Sequence, residues 1–551
     1  MNMDHSAISA ATAYVAARLR DPGFNKGTAF SHAERMQLAI DGLLPPCVES
    51  LQKQVARVLA NVRSLASPLE KYRYLSALQY ENETLFYRVV LDYPEEMMPV
   101  VYTPTVGQAC LEWSRIYERP RGLYLSERHR GRMVEVLRSW PRGPVGVIVV
   151  TDGGRILGLG DLGANGMAIP VGKLALYTAC AGVRPESCLP VTLDVGTDNE
   201  PLRNDPLYIG ERRSRMIGAS WDALLEEFLL ATQAVFPGVI VQFEDFNSAC
   251  AFRLLHRYRE RLCCFNDDIQ GTGAMGLAGL YAACRLTGAT LSEQRMLFVG
   301  AGEACLGIGA TVIAAMRREG LSESESKLRC LFMDSKGLVL VARGDLAAHK
   351  RPYAQDRHPV PDLPAAIESF RPTALIGATG QGGLFTQPVL EAMARLNERP
   401  IVFALSNPTS KSECTAEQAY AWTEGRVLYA SGGQCASVTY ADCVHVPGQA
   451  NNSHIFPGVG LGLLVARARR VTDEMFLAAG QALAAQVTDA DLTQGRLFPA
   501  ATQMREVATA VAVAVATMAH EQGHAAAPWS AELHHDVALA MYEPCYAREV
   551  T

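Results

Sequence analysis

Two pairs of adjacent acids, Glu244-Asp245 and Asp267-Asp268, are the residues whose types and spacing best suit chemistry. Each pair ends a short apolar run, 239–243 and 262–265. A helical stretch, 248–261, lies between them, so Asp268 comes 23 residues after Asp245. That length fits a tight strand-helix-strand crossover, which returns the chain parallel to its start. If the two strands are neighbours, their carboxyl ends lie about 5 Å apart and four carboxylates converge. Like charges forced together there are costly unless a cation joins them. A donor set of oxygens without histidine or cysteine suits magnesium or manganese better than zinc. The competing reading makes these acids helix N-caps and solvated loop residues. Two pairs at matched strand ends favour the cation.

A second constellation begins with the apolar run 295–299, continues through Gly300-Ala301-Gly302-Glu303-Ala304-Cys305, and enters a helical stretch containing Gly307. Strand, glycine turn and helix form the context of a dinucleotide loop. The glycines let backbone approach a pyrophosphate, and the helix N-terminus supplies a positive dipole. Cys305 stands where a third small residue is usual. The acid expected at the end of the next strand is Asp334. It comes 34 residues after Gly300, a longer interval than usual, which an extra polar loop at 320–327 accounts for. Ser335, Lys336, Lys350 and Arg351 follow, a hydroxyl and three cations suited to a 2′-phosphate, and tilt the cofactor from NAD toward NADP.

Five further residues draw their interest from their surroundings: Tyr102 in VYTPTVG, Arg155 in TDGGR, Lys173 in IPVGK, Asn407 in SNPT and Asn452 in GQANN. Singly they read as a buried phenol, two surface cations and two Asx turns. Together with QFEDF, FNDDIQGT and GAGEACLGIG they resemble the malic enzymes, and the likeness runs from about Asn25 to Pro499. The resemblance implies oxidative decarboxylation of (S)-malate to pyruvate and carbon dioxide, with NAD or NADP reduced and a divalent cation required. It implies Glu244, Asp245 and Asp268 as metal ligands, Lys173 as the base on the 2-hydroxyl with Asp267 beside it, and Tyr102 as the acid that protonates the enolate. Arg155, Asn407 and Asn452 would hold malate. Gly300, Gly302, Glu303, Ala304, Asp334, Ser335, Lys336 and Asn407 would line the cofactor. Malolactic activity with bound NAD and a non-catalytic metabolite sensor are the alternatives; Tyr102, Lys173 and the three acids argue against the sensor. Ala450 replaces a glycine common in the family, and Asn247-Ser248-Ala249-Cys250 replaces a GNHN-like run, without changing a ligand. Glu81 stands where fumarate-activated members carry an arginine, so activation through that position is expected to be absent.

The elements that must position these groups follow from periodicity. Residues 25–120 read as mostly helical, with Ser31 capping 32–41 and a helix over 51–65. From residue 145 short β-branched runs alternate with helical stretches: 145–151, 189–193, 239–243, 262–265, 295–299, 328–333, 374–377 and 400–405. Such alternation predicts parallel sheets in doubly wound layers. The expected architecture is α/β: a helical N-terminal domain over 1–120, a substrate-side α/β domain over 121–266, a Rossmann-type dinucleotide domain over 267–451, a return segment over 452–523 and an arm over 524–551. The active site would be the cleft between the second and third of these.

Composition agrees. The 551 residues are 49% hydrophobic and 20% charged, with 51 basic against 57 acidic side chains and a net charge of −6. With no basic block, nucleic acid is not expected as a partner. No two of the 14 cysteines are spaced C-x-x-C, so reduced thiols in a cytoplasmic setting are expected. The longest apolar run, 507–519, is too short to span a bilayer and reads as helix for its alanines. Neither a membrane nor an export segment is expected. A homo-oligomer, dimer or tetramer, is carried over from the family.

Overall fold

A computed structural model describes residues 18–546. They divide into two compact units, one formed by 18–109 with 542–546 and the other by Cys110–Met541.

The first unit is helical. Ser31 caps His32–Gln37 through a reciprocal box with Glu34, but the helix stops there. The chain turns at left-handed Ala39, and 41–43 are a separate short turn, which corrects the expected run to 41. Leu51–Ser64 matches the predicted helix and buries Val55, Val58, Leu59 and Val62 on one face. Pro68–Glu81, Glu83–Asp92 and Pro94–Val101 complete the unit. Residues 542–546 belong here too: the Tyr546 hydroxyl donates to Gln54 Oε1 at 2.6 Å and accepts from Asn82 Nδ2 at 2.7 Å.

The second unit is built on two large sheets, with a small antiparallel hairpin, Val438–Tyr440 against Cys443–His445, beside them. In the first, β1 (Leu123–Ser126), β2 (Val147–Thr151), β3 (Cys188–Asp194), β4 (Ile240–Phe243) and β5 (Cys264–Asn266) lie in the order β1-β3-β2-β4-β5, all parallel. In the second, β6 (Met296–Val299), β7 (Cys330–Asp334), β8 (Gly337–Leu338), β9 (Ala374–Gly377), β10 (Ile401–Ala404), β11 (Leu428–Ser431) and a last short strand, Gly448–Gln449, lie in the order last-β11-β10-β9-β6-β7-β8. Only β8 runs antiparallel. Because helices cover both faces, β2, β3 and β4 are buried along their whole lengths, as expected for parallel strands that read as near-continuous apolar runs. Strand order reverses between β6 and β9, which makes the carboxyl ends of those strands the place for a ligand.

The eight predicted strands all form, with shifts of a residue or two at their ends. β1, β8, β11, the last strand and the two strands of the hairpin Val438–Tyr440/Cys443–His445 were not anticipated: they are short, lie at or near sheet edges or in a hairpin, and lack a long β-branched run. The extra polar loop expected at 320–327 contains a helix, Glu323–Leu328, started by a Ser322/Glu325 capping box. The 507–519 run lies within the helix Met504–Glu521, as predicted. It is buried against Phe456–Ala466, whose glycines allow close contact: a Cβ on Gly462 would lie 2.5 Å from the Ala512 carbonyl oxygen. Among the described residues no helix is long and apolar enough to cross a membrane.

Candidate active site and metal centre

β4 and β5 are hydrogen-bonded neighbours, with Phe243 opposite Asn266, so the acids that follow them meet. Glu244 and Asp245 leave β4. Asp245 adopts a left-handed backbone conformation, φ 54°, a turn that aspartate tolerates better than most residues. Asp267 and Asp268 open a π-helical turn, Asp267–Gly271. One carboxylate oxygen from each of Glu244, Asp245 and Asp268 lies within 4.8 Å of the others. Burial, and then repulsion within the cluster, pushes all three carboxyls above their ordinary range. Lys173 opposes the rise at Glu244 and Asp268, and at Asp245 the Leu157 amide and Lys173 do so. Asp245 Oδ2 is buried without a hydrogen-bond partner. A buried orphan oxygen beside two more carboxylates is a donor set that fits a hard divalent cation.

Lys173 reaches this cluster from the buried helix α1 (Ala168–Ala181). Its Nζ lies 2.9 Å from Glu244 Oε1, is paired with Asp267 Oδ2, and sits 4.4 Å from the centroid of the Phe456 ring. With 2% of its side chain exposed it is not the surface charge its local sequence suggested. Asp267 also accepts from Asn452 Nδ2 at 3.0 Å, and the same amide donates to Thr272 Oγ1 at 2.9 Å. Asn452 is therefore anchored to the acid beside Lys173. Glu244 Oε2 is held by Gln242 Nε2 at 2.8 Å, and Gln242 Oε1 accepts from the Tyr177 hydroxyl at 2.6 Å. Sequence reasoning missed this Tyr177–Gln242 support, although a glutamine inside an apolar strand was a signal for it.

Arg155 follows β2. Its backbone N–H donates to the Asp245 carbonyl at 3.1 Å, and the Leu157 N–H donates to Asp245 Oδ1 at 3.2 Å, so this loop also orients a member of the acid cluster. Below it lies an ion-pair network not anticipated from sequence. Arg215, with 8% of its side chain exposed, pairs with Asp152 Oδ2 at 2.7 Å and Asp161 Oδ1 at 3.1 Å. The run ERRSRM around Arg215 looks like surface charge, and nothing local distinguishes it. Asn407 lies just past β10, and a Cβ built on Gly158 would approach its carbonyl oxygen to 2.6 Å, so this residue abuts the Arg155 loop.

The second sheet supplies the nucleotide side. Gly300 has φ 105° and packs so closely that a Cβ would lie 2.6 Å from the Ala378 carbonyl. Gly302 then caps α2 (Glu303–Arg318). This turn ends at a helix N-terminus whose first amides have no partner within the helix, and that positive end is a cradle that fits a pyrophosphate. Cys305 is buried, its thiol against the Val299 carbonyl, as a small residue at this position allows, and a further close approach falls at Gly307. A Cβ there would lie 2.1 Å from the Ile269 carbonyl. Glu303 does not line the cradle in the expected manner: its carboxylate accepts from Arg155 Nη1 at 3.0 Å. Burial foremost, and then Asp268, raise Glu303 to about 7 against the opposing pull of Arg155.

Asp334 ends β7 as predicted, but its carboxylate is already matched by Arg343 at 2.8 Å and Lys350 at 2.7 Å, and it accepts the Lys336 N–H at 2.9 Å. Burial would raise it; these bonds outweigh burial and hold it below its ordinary value. Arg343 was missed by sequence reasoning. Lys336 Nζ turns to Asp345 at 2.9 Å. Tyr102 belongs to the first unit, where it is buried at the carboxyl end of Pro94–Val101.

Two largely parallel sheets, a cluster of three carboxylates beside a buried lysine, and a glycine turn that opens a helix together make the fold and site of an α/β protein with a dinucleotide-type loop. Family models described as "Malic enzyme, N-terminal domain" and "Malic enzyme, NAD binding domain" match residues 79–259 and 269–520. A protein of Rattus norvegicus named NADP-dependent malic enzyme is 49% identical over 91% of this chain and 88% of its own length. A chloroplastic NADP-dependent malic enzyme of Oryza sativa subsp. japonica is 47% identical over 98% of this chain and 85% of its own. The solved malic enzyme of Entamoeba histolytica has the same fold at 22% identity, with a TM-score of 0.57 and 92% of both chains covered. The chain belongs to the malic enzyme family.

Proposed function

We propose that this chain converts (S)-malate to pyruvate and carbon dioxide while reducing NADP, with magnesium or manganese bound by Glu244, Asp245 and Asp268. The observation that carries the reading is Lys173, buried between Glu244 and Asp267 on the edge of the carboxylate cluster. A lysine there acts as base only from its neutral form, and a nearby cation favours loss of its proton. A cation held by Glu244, Asp245 and Asp268 would supply stabilisation of negative charge on substrate oxygen, and the nicotinamide would supply the hydride acceptor. Lys173 takes the 2-hydroxyl proton, with Asp267 and Asn452 holding its position. Arg155 and Asn407 bind substrate carboxylate, and Tyr102 keeps the role that the YTPTVG match implies, protonating the enolate carbon. Gly300, Gly302 and Ala304 receive the pyrophosphate. Ser335, Lys336 and Lys350, with Arg343, surround the 2′-phosphate, and the pairing of Asp334 with two cations supports NADP over NAD.

The purified chain, given malate and manganese with each nicotinamide cofactor in parallel, tests the proposal. Free NADPH and pyruvate should accumulate; lactate without net cofactor reduction would make it malolactic, and no turnover would favour the sensor. Lys173→Ala should lower turnover by about 10²–10⁴-fold and leave nucleotide affinity nearly intact; an active variant ends the base assignment. A cytoplasmic homo-oligomer, dimer or tetramer, completes the proposal.

A further inference from the structure

Glu303 occupies the first position of the nucleotide helix α2, yet its side chain, 4% exposed, turns away from the cradle to Arg155. Arg155 Nη1 donates to Glu303 Oε1 at 3.0 Å and to Ser248 Oγ at 2.9 Å, so the carboxylate and the hydroxyl hold the same corner of the guanidinium. The guanidinium also lies over the nucleotide loop: a Cβ on Gly302 would sit 3.8 Å from both Nη1 and Nη2. Only the Nη1 corner has a protein acceptor among the described residues, and 46% of the side chain is exposed, so the edge formed by Nε and Nη2 remains available to fork a carboxylate.

From this juxtaposition we infer that Glu303 is a positioning residue through which the nucleotide loop sets the affinity for malate, with Ser248 as its second clamp. The inference rests on the malate reading of the site. The physical argument is electrostatic. A pyrophosphate in the cradle is a second anion at the helix end where Glu303 stands, so its arrival drives the carboxylate toward its remaining cation, Arg155. The side chain that must face malate then loses rotational freedom before malate arrives, which favours the second binding event. By linkage, malate must tighten nucleotide by the same factor.

The test uses the full chain with manganese and NADPH, a combination that binds malate without turning it over. Malate affinity is measured calorimetrically with and without NADPH, and NADPH affinity by its fluorescence with and without malate. Wild-type protein should show coupling on the order of tenfold in both directions. In Glu303→Gln, coupling should fall to within about twofold of unity while the NADPH dissociation constant without malate stays within about threefold. Ser248→Ala, which leaves the buried carboxylate in place, should lower coupling partway. Undiminished coupling in both variants overturns the inference. So does loss of NADPH binding in Glu303→Gln, which would make Glu303 a direct nucleotide ligand. If wild-type protein neither binds nor turns over malate, the proposed function falls with it. Malate turnover with unchanged coupling in the variants removes this inference alone.

Discussion

Removing the divalent cation should destabilise the Cys110–Met541 unit, and by more at higher pH. Three carboxylate oxygens lie within 4.8 Å of one another. At an effective dielectric of about 20, each ionised pair at that separation repels by roughly 3 kcal/mol. Without metal the folded chain relieves this repulsion by keeping protons, as the raised carboxyls of Glu244, Asp245 and Asp268 indicate. Their folded values lie above the unfolded ones, so the metal-free fold binds protons that the unfolded chain does not. It therefore loses stability as pH rises from the ordinary carboxylate range through the raised values. A cation at 100 times its dissociation constant contributes about 2.7 kcal/mol, a shift of about 3 °C for a unit of this size. Because protons must leave before metal binds, affinity also rises with pH. Scanning calorimetry with manganese and with chelator at pH 5.5, 7 and 8.5 should show a gap in Tm that widens with pH. In Asp268→Asn the chelated protein should melt no lower than chelated wild type, because one repelling charge is gone, and the manganese response should largely disappear. A gap that narrows with rising pH, or a full manganese response in Asp268→Asn, would refute the reasoning.

Arg215→Lys loses the fork that spans Asp152 and Asp161 beneath the Arg155 loop; we expect KM for malate to rise about tenfold with KM for nucleotide unchanged, read by steady-state kinetics. Equal changes in both constants would point to general damage. Lys350→Ala removes one of the two cations on Asp334 and should raise KM for NADP at least tenfold while barely altering KM for NAD, so parallel assays that show equal effects contradict a 2′-phosphate role. Fumarate should not activate the enzyme, since an acid at Glu81 repels a dicarboxylate; a reproducible rate increase on adding fumarate, abolished in Glu81→Gln, would show the opposite.

The parallel sheets were legible because burial on both faces leaves a strong mark, short β-branched runs separated by helical stretches. The acid pairs were legible because strand adjacency follows from a short crossover. Interactions joining distant segments left no such mark. Arg215 meets Asp152 and Asp161 only once three loops have folded together, and its charge-rich neighbourhood looks like any solvated loop. Arg343 lies only nine residues from Asp334, but it reaches that carboxylate through a turn that its sequence does not mark. Ser248 was visible only as a departure from a familiar run, and its hydroxyl became meaningful when Arg155 arrived from β2.

The dinucleotide loop carries a further constraint. Cys305, at the usual third small position, is buried against the Val299 carbonyl, and two residues later Gly307 meets the Ile269 carbonyl, to which a Cβ would lie 2.1 Å. That carbonyl belongs to the π-helical turn carrying Asp267 and Asp268. Any side chain at Gly307 would push the nucleotide helix off this turn, and with it move Glu303 away from Arg155 and the cradle away from the carboxylates. The spacing of glycines in this chain is thus set by the distance between a nucleotide loop and the turn bearing its metal-side acids, a requirement that a dinucleotide fold without such a neighbour does not have.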